Sequence, residues 1–231
     1  MSVEGGPDIV TNGLVLYLDA ANDRSIVSGS TTWFDLSRNG NTGSLINGPT
    51  YSSSNNGYIN FDGTDDYSTC TLDNQLSSNF TFACFAKLNS FSTDQNPKAL
   101  MVSQVSSYNN YWAFLGTYNS RWHWALYNGA QNPFSFVDSM NPNTTSWFYV
   151  TGVRNTTTDT LDLYINGMLH SSTNDTTTST PVYSAFNVGA QTSQTLRRSN
   201  CQISIAKVYN RALSPREIRQ NYHATKGRYG L

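Results

Sequence analysis

The sequence contains only two glutamates, and we first ask whether they could form the carboxyl pair that cleaves a glycosidic bond. Such hydrolysis usually needs two carboxyl groups facing each other across the scissile bond, one acting as the acid and the other as the base or nucleophile. The only glutamates are Glu4, close to the N-terminus, and Glu217, within a helix-capping sequence. Because these two residues cannot form the pair, we predict a protein that is not an enzyme. Hydrolysis by aspartates alone is the alternative.

The remaining nucleophiles and bases form no recognisable catalytic motif. The histidines His123, His170 and His223 lack the spacing of zinc ligands. The sequence contains neither a Gly-x-Ser-x-Gly elbow nor a glycine-rich phosphate loop. We interpret His123, within Arg121-Trp-His-Trp, as a strand residue between two packed indoles.

Four aspartates are candidate metal ligands, because calcium prefers hard oxygen donors. Asp62, Asp65 and Asp66 share the short segment Asp62-Gly-Thr-Asp-Asp, and Asp19 follows an early apolar run. The alternative is a turn stabilised by hydrogen bonds from aspartate side chains to backbone amides. We expect no cofactor, and calcium at these four residues is the other hypothesis.

Aromatic residues concentrate between positions 108 and 127 and are the candidates for stacking on sugar rings. In Trp122-His-Trp the two indoles fall on the same face of a strand, because side chains alternate with period two. Burial in a core is the alternative, since one face of a sandwich strand must be covered. The candidate glycan-binding residues are Tyr108, Tyr111, Trp112, Trp122 and Trp124.

Composition indicates a single all-β domain. Aromatic and charged residues each make up 13% of the 231 residues, and Thr, Ser and Asn are abundant, as is typical of β-sandwiches. The net charge of −1 gives no electrostatic reason to bind nucleic acid or an anionic membrane. We expect neither partner.

Apolar runs of four to nine residues, separated by Gly, Asn, Ser and Pro, predict about a dozen strands. The pair Asn166-Gly167 between two such runs predicts a type I′ hairpin, and hairpins indicate antiparallel sheet. In the run from Phe80 the larger apolar residues alternate, which predicts a half-buried strand. The clearest runs are Leu14 to Leu18, Tyr58 to Phe61, Phe80 to Leu88, Trp147 to Val153 and Leu161 to Ile165.

One helix is predicted near the C-terminus. Ser214 is a suitable N-cap, Pro215 fits the first helical position, and Glu217 completes a capping box. Leu213, Ile218 and Tyr222 should pack inward, and Gly227 should end the helix, which we expect to cover the edge of the sandwich. From position 197 onward eight basic residues accompany a single acid. A docking surface for an acidic partner at Arg211, Arg216, Arg219 and Arg228 is one prediction, and a solvated basic face on a terminal helix is the alternative.

The N-terminal residues lack the basic and apolar regions of a signal peptide, and no apolar run is long enough to span a membrane. We therefore expect a protein made in the cytoplasm without export or a membrane anchor. Cys70, Cys84 and Cys201 form an odd set without Cys-x-x-Cys spacing. Buried free thiols are expected, with a disulfide as the alternative.

Several blocks, taken in order, resemble the laminin-G-like, concanavalin A-like jelly-roll domains. The resemblance covers residues 13 to 231, and we place a tail at residues 1 to 12. It implies an all-β jelly-roll sandwich of two antiparallel sheets with one short C-terminal helix. The blocks are Gly13-Leu-Val-Leu-Tyr-Leu-Asp-Ala-Ala-Asn, Thr32-Trp-Phe-Asp-Leu-Ser-Arg-Asn-Gly-Asn, Ile59-Asn-Phe-Asp-Gly-Thr-Asp-Asp-Tyr, Phe80-Thr-Phe-Ala-Cys-Phe-Ala-Lys, Leu163-Tyr-Ile-Asn-Gly and Val208-Tyr-Asn-Arg-Ala-Leu-Ser-Pro-Arg-Glu-Ile.

The Leu18-Asp-Ala-Ala-Asn start and the Gln220-Asn-Tyr-His-Ala-Thr-Lys-Gly-Arg ending are similar to domains of tailed-phage virion proteins. The resemblance implies a structural protein on the virion surface, either a capsid decoration or tail-associated, that contacts other virion proteins and copies of itself. A free carbohydrate-binding module, which would bind surface glycans, is the alternative. Glycosidases of this fold usually carry a Glu-x-Asp-x-Glu strand, and this sequence has none.

Overall fold

The fold, described from a computed structural model, consists of two packed antiparallel sheets and one C-terminal helix. The structure describes residues 7–72, 76, 78–91, 96–104, 111–128, 133–177, 185–192 and 196–231. Within these ranges sixteen strands are present, eight in each sheet. The prediction of an all-β jelly-roll sandwich is confirmed.

Sheet A carries the helix on its outer face. Its order is β14, β13, β12, β7, β16, β5 and β4, and β1 pairs with the far end of β16. The strands are β1 (Leu14–Asp19), β4 (Thr50–Ser52), β5 (Tyr58–Asp62), β7 (Phe80–Leu88), β12 (Phe148–Asn155), β13 (Thr160–Ile165), β14 (Met168–Asn174) and β16 (Asn200–Tyr209).

Sheet B forms the opposite layer, in the order β11, β10, β9, β8, β15, β6, β3 and β2. The five clearest apolar runs of the sequence correspond to β1, β5, β7, β12 and β13, which all lie in sheet A. The ends of these strands agree with the predicted ends within two residues. The strands of sheet B are β2 (Thr32–Trp33), β3 (Gly43–Ile46), β6 (Tyr67–Thr71), β8 (Lys98–Gln104), β9 (Tyr111–Tyr118), β10 (Arg121–Asn128), β11 (Pro133–Asp138) and β15 (Ala185–Val188).

The main core lies between the sheets and is rich in aromatic rings. Phe82 of β7 contacts Trp124 of β10 and Phe186 of β15, with ring centroids 5.4 Å and 5.1 Å apart. The indole of Trp124 lies against Gly152 of β12 and donates a hydrogen bond to the backbone oxygen of Val153. A side chain at position 152 would overlap this indole, so glycine is required for the sheets to pack this closely.

A second apolar layer covers the outer face of sheet A, and it corrects the prediction that Phe80 to Leu88 is half-buried. Phe80 and Phe82 face the core between the sheets, whereas Ala83 and Phe85 face the C-terminal segment. Tyr229 stacks on Phe85 with ring centroids 4.2 Å apart. Strand β7 is therefore buried on both faces because residues from the distant C-terminus cover its outer side.

The helix α1 (Pro215–Thr225) begins as predicted, with the Ser214 side chain and Glu217 forming a capping box. Leu213 and Ile218 are buried in the outer layer of sheet A, and Tyr222 packs against it. The helix thus covers a sheet face rather than the predicted edge. Its end also differs: α1 ends at Thr225 and continues as a 3-10 turn, Lys226–Tyr229, which contains Gly227 and is followed by left-handed Gly230.

Local predictions elsewhere are confirmed. Asn166 and Gly167 have φ angles of 51° and 80°, as the turn between β13 and β14 requires. The three cysteines are free and buried. In the described ranges, no helix combines the length and apolarity needed to cross a membrane.

The end of the predicted N-terminal tail is bound to the fold. The backbone N–H of Val10 donates to the side chain of Asn221 in α1, and the backbone oxygen of Val10 accepts from the Tyr209 hydroxyl. Val10 is buried in the outer layer of sheet A. Residues 7–12 therefore belong to the folded unit, because their polar and apolar groups both find partners there.

Candidate functional site

Two of the aromatic residues predicted to bind glycans lie in the core between the sheets. Trp122 and Trp124 of β10 share one face of the strand, as period two requires, and both side chains are fully buried. The prediction that they are exposed for stacking is therefore wrong. The physical reason is that β10 directs this face toward sheet A, where Phe82 and Phe148 contact the indoles.

Trp112 lies on the opposite, outer face of sheet B but is also buried. Its indole stacks on the Tyr127 ring with centroids 3.8 Å apart and planes 3° apart. The Arg197 guanidinium lies 5.0 Å from the centre of the Trp112 ring. The Trp112 indole is thus already in contact with two protein groups, and the guanidinium lies 5.3 Å from the Tyr127 ring as well. Tyr108 and the side chain of Tyr111 lie outside the described residues.

His123 belongs to a polar network on the same outer face of sheet B. Its Nδ1 lies 2.6 Å from Asp138 Oδ1, and its Nε2 lies 3.2 Å from the Tyr127 hydroxyl. Burial raises the pKa of Tyr127 above its usual range. The prediction that His123 is a strand residue between two packed indoles is confirmed, and its imidazole faces away from Trp122 and Trp124 because side chains alternate along β10.

The acidic turn brings together three of the four predicted metal ligands. Carboxylate oxygens of Asp62, Asp65 and Asp66 lie within 4.8 Å of one another. Asp62 Oδ1 accepts a hydrogen bond from the N–H of Thr64, and Asp66 Oδ2 accepts one from the N–H of Asp62. These bonds are the predicted alternative, in which aspartate side chains stabilise the turn.

The acids of this turn have opposite pKa shifts. The backbone hydrogen bond from Thr64 lowers the pKa of Asp62, whereas burial, followed by the charges of Asp62 and Asp65, raises the pKa of Asp66. A cation would relieve the repulsion at Asp66. Nearby, the Arg198 guanidinium donates to the backbone oxygen of Thr64 and supplies positive charge from the protein itself.

Asp19, the fourth predicted ligand, is not part of this cluster. Its side chain is 1% exposed and is held by Arg228, whose Nη1 lies 2.9 Å and 2.8 Å from the two carboxylate oxygens. The carboxylate also accepts hydrogen bonds from the Tyr17 hydroxyl and the N–H of Ala21. Because Arg228 already balances the charge of Asp19 inside the protein, the prediction that Asp19 is a metal ligand is wrong.

The four arginines predicted to dock a partner have two different roles. Arg228 binds Asp19, and Arg211 forms a two-pronged ion pair with Glu217, at 3.0 Å and 2.6 Å. This pair is the largest cause that lowers the pKa of Glu217 to about 2. The prediction that all four project outward is therefore wrong for Arg211 and Arg228, because acids of the same chain hold both.

Arg216 and Arg219 are exposed on α1, as predicted, with no ion-pair partner in the described part of the chain. The turn of the β13–β14 hairpin lies directly beside them, since a Cβ at Gly167 would lie 3.4 Å from the Cα of Arg219. Met168 and Leu169 follow this turn and are 57% and 53% exposed. Leu169 pairs with Tyr164 of the outer layer of sheet A, whereas Met168 pairs with Ile165 of the inner core and lies on the other side of the strand. We call Arg216, Arg219 and Leu169 the helix–hairpin face.

A cleft of about 430 Å³ lies beside β1, where the N-terminal segment approaches the loops after β1 and β2. Two exposed arginines, Arg24 and Arg38, line it together with Tyr17. Apolar side chains of Leu14 and Leu36 line it as well. We call this feature the arginine cleft. Sequence reasoning missed it because these residues follow no motif and come together only when three separate segments fold against one another.

Solved structures with the same fold include parts of larger proteins. The receptor binding domain of botulinum neurotoxin C/D mosaic serotype aligns with 94% of this chain at a TM-score of 0.72 and 14% identity. The receptor binding domain of botulinum neurotoxin D covers 92% at 0.69 and 17% identity. The sialidase of Trypanosoma rangeli, in complex with the inhibitor DANA, covers 95% at 0.68 and 14% identity.

This chain spans 52% of each toxin domain and 35% of the sialidase. At these identities the likeness shows the fold alone. No curated protein sequence matches the chain significantly. The family profile described as the Concanavalin A-like lectin/glucanases superfamily matches residues 62–219, which is more than half of the chain. With its two antiparallel sheets and capped C-terminal helix, this chain belongs to that superfamily.

Proposed function

We propose that this chain is a non-enzymatic structural protein of a tailed-phage virion, a capsid decoration or tail-associated module that attaches through its helix–hairpin face. The observation that carries the proposal is the pairing of two exposed arginines with the exposed apolar side chain of Leu169 on the adjoining hairpin. The resemblance of the Leu18-Asp-Ala-Ala-Asn start and the Gln220-Asn-Tyr-His-Ala-Thr-Lys-Gly-Arg ending to phage virion domains supports the same role. The protein would lie on the virion surface, contacting other virion proteins and copies of itself.

The chemistry of the helix–hairpin face suits an acidic protein surface. Leu169 provides apolar area that is removed from water on binding, which favours association at roughly 25 cal/mol per Å². Arg216 and Arg219 provide charge that steers an acidic partner and fixes its orientation. Because exposed ion pairs are screened over about 8 to 10 Å at physiological ionic strength, attachment should weaken as salt is added.

Several carboxylates are already bound by other groups of the protein, which supports the proposal that the chain has no hydrolase activity. Glu217 is held by Arg211 and by the N–H of Ser214, and Asp19 is held by Arg228. Asp138 lies against His123. Incubation with laminarin, agarose and host-surface polysaccharide should release no sugar. Sugar release by the wild type that disappears in an aspartate variant would contradict the proposal.

The direct test is mass spectrometry of purified particles of the phage that encodes the chain. We expect the protein in many copies per particle, and its absence from purified particles would overturn the proposal. Attachment is then measured by adding purified protein to particles that lack it. The Arg216→Ala/Arg219→Ala variant should bind more weakly and with less dependence on salt, while its melting temperature stays within about 1 °C of the wild type.

A matched variant separates a specific face from general charge. Arg121→Ala removes one exposed positive charge elsewhere and should attach normally, whereas Arg219→Ala removes the same charge from the helix–hairpin face and should attach more weakly. Equal losses in both variants would show that only net charge matters. Ile218→Asp, which places a charge in the buried outer layer of sheet A, should damage the fold itself.

A free glycan-binding module is the second candidate. Its support is the fold shared with the toxin receptor binding domains and the sialidase, together with the arginine cleft. A glycan array probed with and without chelator distinguishes the candidates. Binding to defined glycans by a protein absent from particles would favour this module over the virion role.

A further inference from the structure

The arginine cleft concentrates positive charge that the protein does not neutralise. Arg24 and Arg38 are exposed, and among the described residues neither has an ion-pair or side-chain hydrogen-bond partner. No acidic residue lines the cleft in the described structure. Two guanidinium groups at one mouth repel each other and favour an anion that both can contact.

Four acids lie close in sequence to the residues of the cleft, Asp8, Asp19, Asp23 and Asp35, and none of them lines it. Asp35 accepts hydrogen bonds from the N–H groups of Tyr17, Ser37 and Asn41, and Asp19 is bound to Arg228. Asp23 is exposed and does not line the cleft. The buried Lys207 side chain lies outside the cleft lining, with its nitrogen 5.0 Å from the centre of the Tyr17 ring.

The inner surface of the cleft is suited to an organic anion. Leu14, Leu36 and Ile9 offer apolar contact, and Tyr17 offers part of an aromatic ring. Thr11 and Asn22 add a hydroxyl and an amide. The Asn22 oxygen accepts from the N–H of Arg24, which leaves the amide NH₂ to donate to a ligand hydroxyl.

We propose that the arginine cleft binds a carboxylate-bearing sugar, with Arg24 and Arg38 contacting the carboxylate and Tyr17, Leu36 and Asn22 contacting the ring and its hydroxyls. The cleft volume of about 430 Å³ lies in the range of small-molecule sites. Arginine binds carboxylates through two parallel hydrogen bonds, which gives geometric selectivity over a point charge. A small inorganic anion would leave the apolar surface and the amide unused.

This site is distinct from the helix–hairpin face, and the inference does not depend on attachment to a particle. Binding is measured on the purified protein, so failure here leaves the virion proposal intact, and failure of particle attachment leaves this one intact. A positive result would add ligand recognition to either proposed role.

Isothermal titration calorimetry with D-glucuronate tests the proposal, with D-glucose and sulfate as comparison ligands. Glucuronate should bind the wild type, glucose should not bind measurably, and sulfate should bind at least tenfold more weakly than glucuronate. Arg24→Gln and Arg38→Asn should each weaken glucuronate binding about tenfold, because each removes a hydrogen bond to a charged group. Asn suits position 38, whose φ angle of 74° is left-handed, so this variant should stay folded.

The Arg216→Gln/Arg219→Gln variant is the control, since it removes equal charge from another surface and should bind glucuronate like the wild type. No glucuronate binding by the wild type, or undiminished binding by the Arg24→Gln/Arg38→Asn double variant, would overturn the proposal. Sulfate binding as tight as glucuronate would overturn the assignment to a sugar. Equal weakening by the control would also overturn it, because the effect would then follow net charge.

Discussion

Arg228 and Asp19 stand 209 positions apart in the sequence, yet Nη1 of the arginine contacts both oxygens of the aspartate, at 2.9 Å and 2.8 Å. Asp19 ends the first strand of sheet A, and Arg228 lies in the 3-10 turn after α1. Their contact therefore joins the two ends of the chain. Asp19 is almost fully buried, whereas Arg228 is one-third exposed, so the aspartate depends on the arginine to balance its charge.

Arg228→Gln should destabilise the protein by about 3 kcal/mol, because breaking such a pair leaves a buried charge without its partner. Urea unfolding measures the free energy. Arg219→Gln, on the exposed side of α1, is the matched control and should change it by less than about 0.5 kcal/mol. Asp19→Asn in the Arg228→Gln background should recover stability. A double variant no more stable than Arg228→Gln would show that the loss is one of packing.

Lys207 is buried in the same region, above the Tyr17 ring, and its ammonium has no hydrogen-bond partner among the described residues. Burial lowers its pKa to about 7 against the opposing effect of Asp19, while the unfolded chain keeps the usual value of 10.5. Between these pH values the unfolded chain binds more protons than the native protein. The stability contribution of this residue therefore rises with pH in this window.

Lys207→Met should be more stable than the wild type at pH 7, because it removes the cost of burying the amine. The difference in the free energy of unfolding should shrink by on the order of 2 kcal/mol toward pH 9. The reason is that the wild-type amine must lose its proton to be buried, and this loss costs less free energy as the pH rises toward 10.5. Urea unfolding at the two pH values measures it. A constant Lys207→Met difference would contradict this account.

Gly152→Ala should destabilise the protein by about 2 to 3 kcal/mol, because the added methyl group overlaps the Trp124 indole in a packed core. Thermal and urea unfolding measure the loss. Gly227→Ala adds the same methyl group where nothing lies within 4 Å and should leave stability unchanged or slightly raised. Equal stability of Gly152→Ala and the wild type would contradict this prediction, because it would mean that β12 can move away from Trp124 without a loss in the free energy of unfolding.

The features that could be predicted from the sequence depend on neighbouring residues. The turn at Asn166 and the cap at Ser214 follow from backbone preferences within four residues, and both are present. Very short strands such as β2, with two residues, carry no periodic pattern. The sequence therefore predicts about a dozen strands, fewer than the sixteen in the described ranges. The pairing of the very short strands is set by the strands beside them.

The features that could not be predicted depend on which surface covers which. Period two places Trp122 and Trp124 on one face of β10, but sheet A alone decides that this face is buried. The charge of Arg228 is visible in the sequence, whereas its partner Asp19 is fixed only by the folded chain. The arginine cleft has the same origin, because Arg24 and Arg38 belong to different loops.

The acidic turn provides the last prediction, which concerns the repulsion between Asp65 and its neighbour Asp66. The charges of Asp62 and Asp65 contribute to the raised pKa of Asp66, so the ionised turn contains unfavourable like charges. Asp65→Asn keeps the size of the side chain and removes one of them. In the presence of chelator this variant should melt about 1 °C above the wild type at pH 7, and its Asp66 should titrate at lower pH by NMR.

Calcium separates the two hypotheses for this turn. If the three carboxylates bind the ion, millimolar calcium should raise the melting temperature of the wild type by mass action. The wild type should then melt above Asp65→Asn, which lacks one ligand, whereas it melts below that variant in chelator. We expect no such shift, because hydrogen bonds from the N–H groups of Thr64 and Asp62 already hold two carboxylates and Arg198 supplies positive charge nearby. A calcium-dependent rise in the wild type that Asp65→Asn lacks would establish a metal site instead of a hydrogen-bonded turn.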